Sequence, residues 1–306
     1  MRVCIVGCGA VGSLFAANLG TLDDVEVWAY DLSRDHVDAI NRNGLRLIGA
    51  GEVTGTVHAT ADAAEIPACD FGIVATKAMH TDGAIAVTAH AFSDGAVATI
   101  QNGIGTEEVL ARHVARVIRG TTFPAGKLTE PGVVQWDVKG DTTLGPFEPR
   151  PTPATQIALL AETCTRAGMP TRAVADARGP QWRKVIFNAA TNPLGALTGL
   201  THGAVCEQPP LRRLASTLVE EGRAVAAAQG IELDADPEEL IDYAARPEVA
   251  YNHKASMLQD VEARRQTEVD YLNGGIAEFG RRFGVPTPAH DVIWALVKGV
   301  EASWTR

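Results

Sequence analysis

The chain is short of cysteine, of clustered basic charge and of long apolar runs, and each shortage removes a class of protein. Five cysteines (Cys4, Cys8, Cys69, Cys164 and Cys206) are scattered over 306 residues, with no CxxC pair and no His cluster at zinc spacing. That excludes a disulfide framework and predicts no metal site, so the thiols read as small core residues or free thiols in a reducing compartment. A formal net charge of −10 without any Lys/Arg run lacks the electrostatic footprint of a nucleic-acid binder. No apolar stretch approaches the roughly 20 residues that a transmembrane helix needs, so no membrane partner is expected. The opening MRVCIVGCG passes directly into a strand pattern, and a secretory leader is not expected. Internal repeats and low-complexity tracts are missing too. A soluble cytoplasmic protein of two domains is the expectation for this length.

What is present begins with a strand-like run at residues 3–6 and, immediately after it, GCGAVG. Gly7, Gly9 and Gly12 have the G-x-G-x-x-G spacing, residues 14–19 continue with helical period, and a second strand pattern at 25–30 ends on Asp31. Strand, glycine turn, helix, strand and acid together are the context that the dinucleotide fingerprint requires. The first glycine permits the tight turn, the second admits a pyrophosphate, and the third lets helix and strand approach. The helix N-terminus at Ala10 and Val11 offers unpaired N–H groups to phosphate. Asp31 suits ribose hydroxyls and repels a 2′-phosphate, which favours NAD over NADP; Ser33 and Arg34 nearby suit a phosphate if the loop turns. A helix N-cap is the plain structural alternative for Asp31.

Further strand patterns at 71–76 and 96–100 end at Lys77 and at Gln101-Asn102-Gly103. Ligands of an open parallel sheet bind beyond the carboxyl ends of its strands, which makes Lys77 and Asn102 candidate cofactor contacts. A solvated loop lysine and an Asn-Gly turn are the plain alternatives. Thr106 is placed to cap a helix opening on Glu107 and Glu108. Residues 117–121 predict another strand, 133–138 and 142–144 a hairpin at the sheet edge, 154–167 a helix, and 171–174 a last strand.

From Pro180 onward the alternation stops. Helices are expected at 181–197, 210–229, 237–245, 253–282 and 288–303, so the chain divides into a doubly wound α/β domain at 1–176 and an all-helical domain at 177–306. The first of those helices carries WRKVIFNAATNPL at 182–194. Lys184, Asn188 and Asn192 fall at i, i+4 and i+8 on one face of it, with apolar residues around the rest. Buried polar groups are costly without partners, so this stripe faces either a neighbouring helix or a cleft holding a polar small molecule. On the 253–282 helix, Ser256 lies near the start and Glu268 further along, with Arg264 one turn before it as an ion-pair partner.

GCGAVG, TKAM, QNG, WRKVIFNAATNPL, SMLQD and TEVDYLNG, in that order and over essentially the whole chain, closely resemble the ketopantoate reductase family. The resemblance implies a Rossmann-type first domain, a helical second domain like that of 6-phosphogluconate dehydrogenases, and a site in the cleft between them. It implies reduction of 2-dehydropantoate to (R)-pantoate by hydride from NAD(P)H, in pantothenate biosynthesis. By position it implies Lys184 and Glu268 as catalytic residues, Lys77 and Asn102 near nicotinamide and substrate, and Asn188, Asn192 and Ser256 as substrate-binding groups. Two positions depart from the family's pattern. Tyr30-Asp31 stands where an arginine suited to NADP is usual, which leans the cofactor towards NAD. His202 stands where well-studied members have asparagine, and an imidazole there suits a carboxylate. An NAD-dependent D-2-hydroxyacid dehydrogenase acting on another bulky 2-oxo acid is the alternative, and a non-catalytic dinucleotide sensor a distant one. A monomer or homodimer fits either enzyme.

Overall fold

The apolar run after Met1 becomes β1 (Arg2–Val6), which lies inside an eight-stranded sheet. The computed structural model describes residues 1–304. After β1 come α1 (Ala10–Leu19), β2 (Glu26–Tyr30), α2 (Arg34–Asn43), β3 (Leu45–Gly49), β4 (Val53–Gly55) and β5 (His58–Thr60). These are followed by β6 (Phe71–Val74), α3 (Thr81–Thr88), β7 (Ala96–Thr99), α4 (Thr106–Leu110), β8 (Val117–Thr122), β9 (Ala125–Glu130) and β10 (Val133–Val138). β11 (Thr142–Pro146), α5 (Ala154–Arg166) and β12 (Thr171–Ala173) complete the α/β part. The remainder is helical: α6 (Arg178–Thr198), α7 (His202–Glu207), α8 (Pro209–Ala228), α9 (Pro237–Ala244), α10 (Ser256–Glu262), α11 (Asn273–Phe283) and α12 (Pro288–Ser303).

The chain divides into two compact units, one of Met1–Gln101 with Thr106–Ala177, the other of Asn102–Gly105 with the residues from Arg178 onward. In the first, the large sheet runs β12-β11-β8-β7-β6-β1-β2-β5. β1 pairs in parallel with both β2 and β6, so the winding reverses there and opens a crevice at the strands' carboxyl ends. A second sheet, β4-β3-β10-β9, covers the outer face of α1. That helix is consequently buried from Gly12 through Leu19. Full burial of Leu14, Phe15 and Leu19 contributes roughly 2 kcal/mol for each side chain. The second unit builds its own core from Trp182, Ile186, Leu218, Val219, Ile276 and Val297, with Ile104 among them.

The expected hairpin of 133–138 with 142–144 does not form. β10 pairs with β9 and β3 in the small sheet, whereas β11 joins β8 and β12 in the large one. The hairpin is instead β9–β10, closed by Pro131 and Gly132. Proline presets φ at the first central position and Gly132 takes φ +78°, the residue pattern of a type II turn. β9 carries Lys127, Leu128, Thr129 and Glu130 exposed, so it has no buried face to announce it as a strand.

Thr106 is the first residue of α4 rather than its cap, and its hydroxyl lies 3.1 Å from that of Thr99. The helix expected at 253–282 breaks into α10 and α11, with an irregular segment between. Arg264 ends α10 in the left-handed region at φ +50°, and Arg265 N–H closes the turn on Asp260 C=O at 2.8 Å. Residues 262–268 (EARRQTE) contain a single apolar side chain, Ala263, so nothing there gives a helix a face to bury. Among the described residues, no helix is long and apolar enough to cross a membrane.

Candidate active site

In the first unit the glycine turn has the geometry that its spacing predicts. Gly7 has φ +89°, and its N–H donates to Tyr30 C=O at 2.8 Å. At Gly12 a Cβ would lie 2.1 Å from the Gly7 carbonyl oxygen, a contact only hydrogen permits. At Gly9 a Cβ would meet nothing within 4 Å, so this face of the turn is open. Gly9 is also the N-cap of α1, with no side chain closing the helix end over Ala10 and Val11. Open space against an uncapped N-terminus of a ten-residue helix fits a pyrophosphate.

The turn is braced from behind. Cys8 C=O accepts from the Ser13 hydroxyl at 2.8 Å and from His36 Nε2–H at 2.9 Å, while His36 Nδ1 accepts from Gly132 N–H at 3.0 Å. Two backbone partners fix the tautomer, and burial lowers the imidazole's pKa, keeping it neutral. Nothing in the spacing marked His36, because its partners, Cys8 and Gly132, lie 28 and 96 residues away along the chain.

Asp31 follows β2, and its Oδ1 accepts from Ser33 N–H at 2.9 Å. The N-cap of α2 is Ser33, so the N-cap alternative for Asp31 falls. Close by, Tyr30, Asp62, Val87 and His90 line an open cavity. The Tyr30 phenol titrates above its ordinary range, chiefly through burial and then through the charges of Asp62 and Asp31. Two carboxylates thus stand where the second strand ends, one of them missed in the sequence. Lys77 follows β6 and opens a short 3₁₀ turn. Gln101 fixes that loop, its Nε2 donating to Thr76 C=O at 2.8 Å and to the Thr81 hydroxyl at 2.8 Å.

The second unit joins three of the singled-out residues. Lys184 Nζ donates to Asn102 Oδ1 at 2.9 Å, and Asn102 Nδ2 donates to Glu268 Oε2 at 3.4 Å. Burial pushes the Lys184 ammonium down from 10.5 to about 8, opposed by the Glu268 carboxylate. Asn102 is held by its neighbours: Gly103, at φ +92°, packs so tightly that a Cβ would lie 2.6 Å from Tyr271 C=O, and Ile104 N–H donates to that carbonyl at 3.1 Å.

Asn188 and Asn192 lie on α6 one and two turns beyond Lys184, both nearly buried. The Asn188 amide has no hydrogen-bond partner among the described residues, which leaves it available to a ligand. Pro193 interrupts α6 and cannot donate to Ala189 C=O; Asn273 Nδ2 supplies that bond at 3.0 Å. Ser256 opens α10, which packs on α6, and remains exposed without bonding to Lys184, Asn102 or Glu268. Glu268 lies in the irregular segment, so no helical ion pair with Arg264 forms. His202 is buried with Nε2–H donating to Ile241 C=O at 3.1 Å and its ring 5.6 Å from that of Phe187. Burial lowers its pKa, so this imidazole is neutral and half committed to backbone. Among the described residues no cluster of His, Cys, Asp and Glu is placed to hold a metal ion.

An ammonium whose pKa is lowered to about 8, oriented by an amide and a carboxylate, can give a proton to a developing alkoxide. Ketopantoate reductase PanE/ApbA matches residues 3–149, and Ketopantoate reductase PanE/ApbA C terminal matches residues 176–301. A Pyrococcus horikoshii protein named 2-dehydropantoate 2-reductase is 34% identical, covering 99% of this chain and 98% of its own. The crystal structure of a PanE/ApbA family ketopantoate reductase from Ralstonia eutropha JMP134 superposes with TM-score 0.90 at 29% identity, over 100% of each chain. The ternary structure of D-mandelate dehydrogenase with NADH and anilino(oxo)acetate superposes with TM-score 0.89 at 27% identity, over 99% of each. With both halves matched in order and relatives aligned end to end, the chain belongs to the ketopantoate reductase family.

Proposed function

We propose that this protein reduces 2-dehydropantoate to (R)-pantoate with NAD(P)H, and that Lys184 donates the proton. The observation that carries the reading is the chain Lys184–Asn102–Glu268. The Gly7–Gly12 turn, Asp31 and Lys77 would hold a reduced nicotinamide dinucleotide, which when bound would supply the hydride for the keto carbon. The carbonyl oxygen then gains negative charge, and Lys184 stabilises it and transfers a proton from Nζ to it, leaving the neutral amine. Glu268 favours the charged ammonium beforehand, while Asn102 fixes the direction in which Lys184 points. Asn188 and Asn192, with Ser256 at the mouth of α10, offer amide and hydroxyl groups to the substrate's carboxylate and hydroxyl.

The pH dependence has a definite sign. The donor is Lys184 in its charged form, present below about 8. kcat/KM for the 2-oxo acid therefore falls as pH rises through that value, approaching about ten-fold per unit above it. A pH profile flat to pH 10 removes Lys184 from the proton-transfer step.

Cofactor preference follows from Asp31 and Asp62. A 2′-phosphate placed beside two carboxylates is repelled, whereas ribose hydroxyls can donate to Asp31. NADH is expected to surpass NADPH by about ten-fold or more in kcat/KM, roughly 1.4 kcal/mol. A D-2-hydroxyacid dehydrogenase is the second reading, favoured by the likeness to D-mandelate dehydrogenase with NADH. The deciding assay oxidises NADH and NADPH side by side with 2-dehydropantoate and with an aryl 2-oxo acid. Turnover of 2-dehydropantoate supports the first reading, and turnover of the aryl acid alone replaces it with the second.

A further inference from the structure

We infer that Glu301, on the last helix, is a positioning residue for Glu268, acting through a polar ring that holds the irregular segment between α10 and α11. The inference rests on the assignment of Glu268 above. Glu301 Oε1 accepts from Thr267 N–H at 2.8 Å and from the Thr267 hydroxyl at 2.7 Å. Its other oxygen, Oε2, pairs with Lys298 Nζ at 2.8 Å, and the same ammonium donates to Asp270 Oδ2 at 2.9 Å. Asp270 Oδ1 in turn accepts Trp294 Nε1–H at 2.6 Å. Thr267 and Asp270 therefore fasten the backbone one residue before and two residues after Glu268 to about two turns of α12, from Trp294 to Glu301.

The segment needs such a fastening. Its backbone is not in a helix or strand, so its N–H groups depend on side chains and turns for partners. The Thr267 hydroxyl also accepts from Val269 N–H at 3.3 Å. On either side of Glu268 the chain is thus bonded to groups that themselves sit in a regular helix. Tyr271, in the same segment, presents the carbonyl against which Gly103 and Ile104 pack. Displacing the segment consequently moves Glu268 and Asn102 together, and with them both partners that orient Lys184. A carboxylate at Glu301 is the residue type the position requires, because one oxygen must take two donors while the other takes an ammonium.

The test is a double-mutant cycle between Glu301 and Glu268. Glu301→Ala is expected to lower kcat for the 2-oxo acid by about 10²-fold, the cost of a small misplacement at a reacting centre. NADH affinity, read by fluorescence titration, should change by less than about two-fold, because the Gly7–Gly12 turn, Asp31 and Lys77, which hold the dinucleotide in the reading above, lie in the other unit. Glu301→Gln, which keeps an acceptor for Thr267, should recover part of the loss, and Thr267→Ser should be milder than Thr267→Val. In a Glu268→Gln background the same Glu301→Ala change should cost clearly less than in the wild type, the remainder passing through Asn102. Additive losses in the cycle overturn the inference and make Glu301 a general stabiliser. A Glu268→Gln enzyme with wild-type kcat overturns the assignment of Glu268 itself, a separate outcome. Should Glu301→Ala fail to fold, the Thr267→Val and Thr267→Ser pair, run through the same cycle, gives the decision.

Discussion

Lys184→Ala is expected to turn over its 2-oxo acid about 10³-fold more slowly than the wild type, within the range that a positioned general acid contributes. The variant should still fold and still bind NADH. Folding is preserved because the substitution removes a cation whose burial already lowers its pKa to about 8, so the native state loses a costly group rather than a favourable one. Cofactor binding is preserved because Lys184 lies on α6, whereas the turn that suits a pyrophosphate lies between β1 and α1. The loss should therefore appear in kcat, with NADH affinity by fluorescence within about two-fold of wild type, the signature of an interaction made chiefly in the transition state. Lys184→Arg is a sharper control. A guanidinium keeps the charge but does not release a proton at accessible pH, and its planar fork does not reproduce the single 2.9 Å bond to Asn102. It too should be slow, and its residual rate should lose the alkaline fall expected near pH 8. Lys184→Ala with more than about a tenth of wild-type kcat would move the proton donor elsewhere.

The parts of this arrangement that could be read in the sequence are those whose signal is local. GCGAVG followed by helix, strand and Asp31 fixes residue types at short spacing, and the turn geometry is a direct steric consequence of them. Lys184, Asn188 and Asn192 share a face because helical period places them there. What could not be read depends on partners far along the chain. β9 and β10 form a small sheet with β3 and β4, and neither β9's exposed side chains nor β4's three residues carry a pattern of their own. The segment around Glu268 looked helical because Leu258, Val261, Val269 and Leu272 are spaced in multiples of a turn. Its hold on Glu301, 34 residues distant in the case of Thr267, overrides that local tendency. Pro193 and Asn273 show the same limit: the proline announces a freed carbonyl, but nothing in the sequence says that Asn273 supplies its donor. His36 is similar, since its partners Cys8 and Gly132 lie 28 and 96 residues away.

Gly9→Ala and Gly12→Ala, although three residues apart in one turn, should fail in opposite ways. At Gly12 the added methyl would sit 2.1 Å from the Gly7 carbonyl oxygen and 3.1 Å from Ile5 Cγ2. Backbone rather than a flexible side chain must yield, so α1 is pushed off the strand on which it packs. α1 is buried along most of its length, and the displacement spreads into a close-packed interior where overpacking costs about 1–3 kcal/mol or more. Gly12→Ala should therefore lower Tm by several degrees even without any ligand. At Gly9 a methyl meets no protein atom within 4 Å, and the glycine's backbone, at φ −71° and ψ −157°, lies where other residues are tolerated. The ligand-free Gly9→Ala protein should melt with the wild type. Its methyl instead occupies the space through which a pyrophosphate would approach the N–H groups of Ala10 and Val11. NADH affinity should fall by about ten-fold or more, the cost of displacing charged hydrogen bonds worth roughly 1.5–3 kcal/mol. Melting each variant with and without NADH separates the two effects. For Gly9→Ala the shift conferred by a fixed NADH concentration should shrink while the ligand-free Tm stays put. An undiminished NADH shift in Gly9→Ala would mean that the open face of this turn is not where the dinucleotide's phosphates lie.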